Sequence, residues 1–132
     1  CNWGGSRIVG VTKDLGQTWE KHPTNRTSQL REPVCQGSLL AVDGAPGAGR
    51  VVLFSNPNTT SGRSHMTLKA STDDAGSWPE DKWLLYDARN CWGYSCLAPV
   101  DKNHVGVLYE SQGALNFLKI PYKDVLNAGG AR

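Results

Sequence analysis

Short apolar runs of strand length alternate along this chain with clusters of glycine, proline, asparagine and aspartate. The runs fall at residues 7–11, 37–42, 51–55, 66–70, 82–87, 96–100, 105–109 and 115–120. Between them lie breakers such as Asp43-Gly44-Ala45-Pro46-Gly47-Ala48-Gly49, the loop at 56–62 and the polar turn Asp101-Lys102-Asn103. Such clusters reverse a chain because glycine accepts positive φ and aspartate or asparagine bonds the amides of its own turn. No segment holds apolar residues at a 3.6-residue period, so amphipathic helices are not expected. The pattern predicts an all-β protein. Residues 66–70 alternate enough to form a half-buried strand, and residues 121–128 form a terminal helical turn too short to bury much.

Residues 90–111, NCWGYSCLAPVDKNHVGVLYES, read as a hairpin with a buried interior. Tyr94 stands at the mouth of its first strand, and Glu110 ends the second where it can face back toward Tyr94. Arg63, in Gly62-Arg63-Ser64, lies upstream across a turn and a strand. A tyrosine, a glutamate and an arginine gathered at strand ends would suit an anionic, hydroxyl-rich ligand.

The chain also repeats itself. Thr12-Lys13-Asp14-Leu15-Gly16-Gln17-Thr18-Trp19 returns as Ser71-Thr72-Asp73-Asp74-Ala75-Gly76-Ser77-Trp78, a spacing of 59 positions, and Ser38 and Ser95 head similar runs 57 apart. In each turn an aspartate can bond local amides, a glycine can take positive φ, and a tryptophan can plug the turn against the sheet. Asp14, Trp19, Asp73 and Trp78 are therefore structural candidates. Ala75 stands where the first copy has Gly16, so the second turn is expected to be strained or shifted by one residue. A period near 60 with about four strands per unit describes propeller blades: residues 1–34 the end of one, 35–90 a full one, and 91–132 a final blade and tail.

Gross composition narrows the function. The 132 residues suit one domain and carry a formal charge of +2 without a basic run, which argues against nucleic acid and charged membrane surfaces as partners. No apolar run is long enough to span a membrane. Residues 1–5 show no cap or turn that would start a domain, so the chain is expected to be a piece of a longer one. Cys1, Cys35, Cys91 and Cys96 lack zinc-site spacing and are expected to be free, mostly buried thiols, with a Cys91–Cys96 loop the alternative. His22, His65 and His104 show no metal-like spacing and are expected in loops or at the surface. Asn25-Arg26-Thr27 and Asn58-Thr59-Thr60 are glycosylation sequons that matter only in a glycosylating host.

Two Ser/Thr-x-Asp turns, or Asp boxes, one blade apart, with Cys-Gln-Gly-Ser at 35–38, Ser-Gly-Arg-Ser at 61–64, Gly-Tyr-Ser at 93–95 and Leu-Tyr-Glu at 108–110, together resemble the C-terminal part of a bacterial sialidase (neuraminidase) catalytic domain. The resemblance implies a six-bladed β-propeller, of which this chain supplies about two to two and a half blades, with the site at its axis and the Asp boxes on the outer rim. It implies retaining hydrolysis of terminal α-linked sialic acid on glycoconjugates, no cofactor, no metal, and a secreted, periplasmic or cell-surface location. Tyr94 matches the family's nucleophile, sialidases being the tyrosine-using exception among glycosidases. A phenol avoids the repulsion a carboxylate nucleophile would meet from the sugar's own carboxylate, but it ordinarily titrates near pH 10 and needs a neighbouring base.

Arg7 and Arg63 resemble the second and third arginines of a carboxylate-binding triad, a task suited to planar guanidinium forks. Glu110 resembles the supporting carboxylate that steers the first. The general acid, the first arginine and the activating glutamate have no counterparts here, and Glu32 does not take the glutamate's place. The chain alone is therefore expected to be a poor catalyst, and its partners to include the N-terminal part of the propeller or another copy of the chain. Two alternatives stay open: a non-catalytic Asp-box module that binds carbohydrate, and a trans-sialidase.

Overall fold

The computed structural model describes residues 4–130. It is all-β, with antiparallel sheets that follow one another along the chain. A two-stranded ribbon pairs β1 (Gly10–Val11) with β2 (Glu20–Lys21). A four-stranded sheet follows in the order β3 (Ser38–Ala45), β4 (Gly49–Pro57), β5 (Met66–Ser71) and β6 (Trp83–Asp87). A three-stranded sheet comprises β7 (Cys91–Asp101), β8 (His104–Ser111) and β9 (Leu115–Pro121), and leads into the short helix α1 (Tyr122–Leu126).

Most of the core lies in the seam between the two larger sheets. Val51, Leu53, Met66, Leu68 and Ala70 of the four-stranded sheet meet Leu97, Val105, Val107, Tyr109 and Ile120 of the next. The opposite face of β4 turns Val52 and Phe54 onto Leu30 and Trp78. Both faces of the central strands are thus covered, and β5 is buried along its whole length, where alternation alone predicted half burial. The tail departs from expectation in the same direction. Tyr122 and Val125 are buried in the main core, so the terminal helical turn closes the seam despite its length.

Local hydrogen bonds explain other departures. The predicted strand at 7–11 shrinks to Gly10–Val11, because Arg7 spends its N–H on Leu30 O and its carbonyl on Arg26 N, fastening to a loop instead of a ladder. β3 runs on to Ala45 through a bulge at which Gly44 has φ 75°. The two aspartate-centred turns repeat the same carboxylate hydrogen bonds, although the Trp19 indole N–H bonds Gly16 O while that of Trp78 is buried without a partner. Asp14 accepts from Thr12 Oγ1, Thr18 N and Thr18 Oγ1, and Asp73 accepts from Ser71 Oγ, Ser77 N and Ser77 Oγ. Ala75 keeps Gly16's place, its N–H bonded to Ser71 Oγ as Gly16 N is to Thr12 Oγ1, and takes φ 67°. The second turn is strained rather than shifted.

The two tryptophans differ. Trp78 is 2% exposed and meets Phe54 edge-on at 6.0 Å, whereas Trp19 is 65% exposed because the ribbon beside it has only two-residue strands to offer. The thiols are free, with Cys35 buried, Cys91 half-buried and Cys96 exposed; Cys1 lies outside the described residues. Cys96 corrects the expectation of mostly buried thiols, since it falls on the outward face of β7. A Cys91–Cys96 loop is not formed: both lie on one extended strand, which advances about 3.3 Å per residue.

Candidate active site

Tyr94 owes its position to an irregularity in β7. The ladder with β8 breaks between Cys91↔Ser111 and Ser95↔Tyr109. Gly93 lies within the break at φ 88°, and a Cβ there would approach Pro57 Cγ to 2.8 Å and Cys35 Sγ to 2.9 Å. Only glycine lets the strand sink this far between β4 and the 34–36 segment, and the bulge turns Tyr94 outward, 48% exposed.

Arg63, in the loop between β4 and β5, is brought against this bulge. Its Nη1 donates to Trp92 O at 2.9 Å and its Nη2 to Val34 O at 3.0 Å, while Cys91 N donates back to Arg63 O at 2.9 Å. The guanidinium carbon stands 5.5 Å from the centroid of the Tyr94 ring, within cation–π range. These bonds take two of the five N–H donors an arginine carries.

Glu110 reaches the same place by strand parity. Cys96 pairs with Leu108, and two residues along each strand Tyr94 and Glu110 share that outward face. With Gln36, Ser95, Cys96, Leu108 and Leu115 they line an open cavity of about 370 Å³. Glu110 forms no ion pair among the described residues.

Arg7 is not placed against Tyr94. Its Nη2 donates to the Glu32 carboxylate and, at 2.9 Å, to Cys35 O, and its guanidinium lies 5.2 Å over the Phe54 ring. Burial lowers its pKa, and its Nε is buried without a hydrogen-bond partner. Glu32 is fully buried, its other oxygen accepting the Cys35 amide. The pair therefore fixes the 32–35 segment, against which the Gly93 bulge rests: Cys35 Sγ touches Trp92 O at 3.8 Å. Burial pushes the Cys35 thiol up, and Arg63 pulls it back.

Two residues that hold this arrangement carry no site signal of their own in the sequence. Glu32 sits in a polar stretch with nothing to mark it as a partner of Arg7. Gln36 appears only within Cys-Gln-Gly-Ser, yet its side chain bonds the backbone of Ser95 twice.

No protein-family model matches the chain. A sialidase of Bacteroides fragilis (strain YCH46) is 46% identical over 129 residues, which are 95% of this chain and 23% of the relative. The solved structure of Hadza microbial sialidase Hz136 matches with a TM-score of 0.84 and 46% identity over 91% of this chain and 24% of its own. In sequence and in fold the chain matches the C-terminal part of a sialidase. A sialidase of Micromonospora viridifaciens is 31% identical over 110 residues, 80% of this chain and 16% of the relative. The chain spans about a quarter of the length of the B. fragilis and Hadza sialidases it matches. Its antiparallel sheets match part of a sialidase β-propeller. No helix among the described residues is long and apolar enough to cross a membrane.

Proposed function

We propose that this chain is part of the catalytic domain of an exo-α-sialidase that removes terminal α-linked sialic acid from glycoconjugates with retention, using Tyr94 as nucleophile. On this reading its sheets are the end of one blade, a full blade and a final blade, and its two aspartate-centred turns are Asp boxes. The observation that carries the proposal is the juxtaposition of Arg63 and Tyr94 at 5.5 Å, beside a cavity that Glu110 also lines. The N–H donors Arg63 has not spent on Trp92 O and Val34 O would hold the sugar carboxylate. The anomeric carbon would then lie beside the Tyr94 phenol. Glu110 supplies a supporting carboxylate, and Arg7, paired with Glu32, serves the site from behind by bracing Cys35.

A ring-fluorinated sialosyl fluoride tests this without a general acid, because fluoride is a good leaving group. The C–F bond breaks as the bond from Tyr94 Oη forms, fluoride departs, and the phenolic proton passes to a solvent base. Mass spectrometry is expected to find one sialosyl group on Tyr94, absent in Tyr94→Phe, with half-saturation about tenfold weaker in Arg63→Lys, which cannot form a bidentate fork. Absence of label on Tyr94, together with binding of a planar-ring sialic acid analogue that ignores Arg63→Lys, would mark a non-catalytic carbohydrate module instead.

A further inference from the structure

The bulge that presents Tyr94 leaves a problem at Ser95. This residue pairs with Tyr109 across β8, but its own N–H and C=O do not point into that ladder. They are taken by Gln36: Ser95 N donates to Gln36 Oε1 at 3.0 Å, and Gln36 Nε2 donates to Ser95 O at 3.1 Å. A primary amide offers one acceptor and a donor side by side, so Gln36 reproduces one rung of an antiparallel ladder with side-chain atoms alone. The second Nε2 hydrogen bonds Gly37 O at 3.0 Å, which fixes the amide plane. Two residues further, Leu97 N donates to Ser38 Oγ at 3.0 Å. Inside the seam, Ser95 Oγ donates to Ser55 O at 3.2 Å and lies 3.0 Å from Ser55 Oγ. The peptide next to Tyr94 is thus held, on the edge that β8 does not cover, by the side chain of Gln36, two residues ahead of β3.

We infer that Gln36 is a positioning residue for Tyr94: its amide closes the open edge of β7 at Ser95 and so sets the direction of the phenol at the exit of the bulge. The inference rests on the proposed role of Tyr94. It predicts that Gln36 acts on the rate of attack and not on substrate affinity, because its amide is spent on backbone and Gly37.

The test follows Ser95 amide hydrogen exchange by NMR and, in parallel, sialosyl labelling of Tyr94. In Gln36→Ala the Ser95 amide is expected to exchange at least about fivefold faster, and the maximal labelling rate to fall about fivefold with half-saturation unchanged, the loss expected of an exposed neutral hydrogen-bond pair. Gln36→Glu gives a second reading. Its carboxylate still accepts from Ser95 N–H but sets an oxygen against Ser95 O, and protonation restores a donor there. Its labelling rate relative to the unsubstituted chain is therefore expected to recover as pH falls through the ordinary glutamate range near about 4.3.

Unchanged Ser95 exchange in Gln36→Ala, or a loss confined to half-saturation, would overturn the inference while leaving Tyr94 labelling by the unsubstituted chain intact. A Ser95 amide that responds to Gln36→Ala in a chain whose Tyr94 never labels would overturn both, reducing Gln36 to an edge closure.

Discussion

Lys69 offers a quantitative test of how dry the middle of the four-stranded sheet is. It lies on β5, fully buried, with Nζ donating to Gln29 O at 2.7 Å and Asn58 Oδ1 at 2.9 Å and standing 4.2 Å from the Trp83 ring centroid. Burial, with repulsion from Arg31 second, pushes its pKa from 10.5 down to about 7. Between those two values the unfolded chain holds a proton that the folded chain has released. Stability therefore rises with pH across this window, by about 1.4 kcal/mol per pH unit well inside it. The whole displacement corresponds to about 5 kcal/mol, a ceiling because the two oxygen acceptors and the ring face favour the ammonium.

Lys69→Met keeps the volume and removes the titration, leaving two acceptors short of a donor at a pH-independent cost of about 1–3 kcal/mol each. Urea unfolding of both proteins between about pH 7 and about pH 8.5 is expected to show the unsubstituted chain gaining up to about 1.6 kcal/mol on the variant, since the slope is only half developed at the folded pKa. The Cys35 thiol, raised by burial, works the other way, its contribution being lost as pH climbs above the ordinary thiol value, but it is common to both chains and cancels in the difference. A difference that stays flat or shrinks across the window would refute the claim that burial sets the charge of Lys69.

Two further outcomes follow from local geometry. Gly93→Ala would drive a Cβ to 2.8 Å from Pro57 Cγ at φ 88°, so unfolding stability is expected to fall by about 2 kcal/mol or more, and a melting temperature equal to that of the unsubstituted chain would deny that the bulge needs glycine. Hydrogen bonds from the Ser71 and Ser77 hydroxyls and the Ser77 amide hold the Asp73 carboxyl down to about 2. A lowered carboxyl stabilises above its unfolded value of 3.8 and loses that contribution as pH falls toward about 2. Asp73→Asn should therefore flatten the acid limb of a melting-temperature profile, and an unaltered limb would remove the turn from the list of acid-labile supports.

The local rules legible in the sequence are those of alternation and turn chemistry. They determined the all-β class, the strand order along the chain, the two aspartate turns and their 59-residue spacing. They also set the parity that puts Tyr94 and Glu110 on one face of a hairpin. Each strand, turn and face parity depends on neighbours within a few residues, and the spacing is read directly along the chain, which is why a one-dimensional reading reaches them.

What the tertiary structure alone decided is which faces meet. It sent Arg63 to the Tyr94 bulge and Arg7 to Glu32, two arginines that look alike in the sequence but end in different dielectric surroundings. It buried Trp78 and left the equivalent Trp19 in solvent, since only one of the two has a covering sheet. It enlisted Gln36, because an edge with unpaired N–H and C=O groups draws whatever amide the adjoining segment brings within reach. Desolvation and pairing across sheets are properties of contacts between residues tens of positions apart, and no local pattern encodes them.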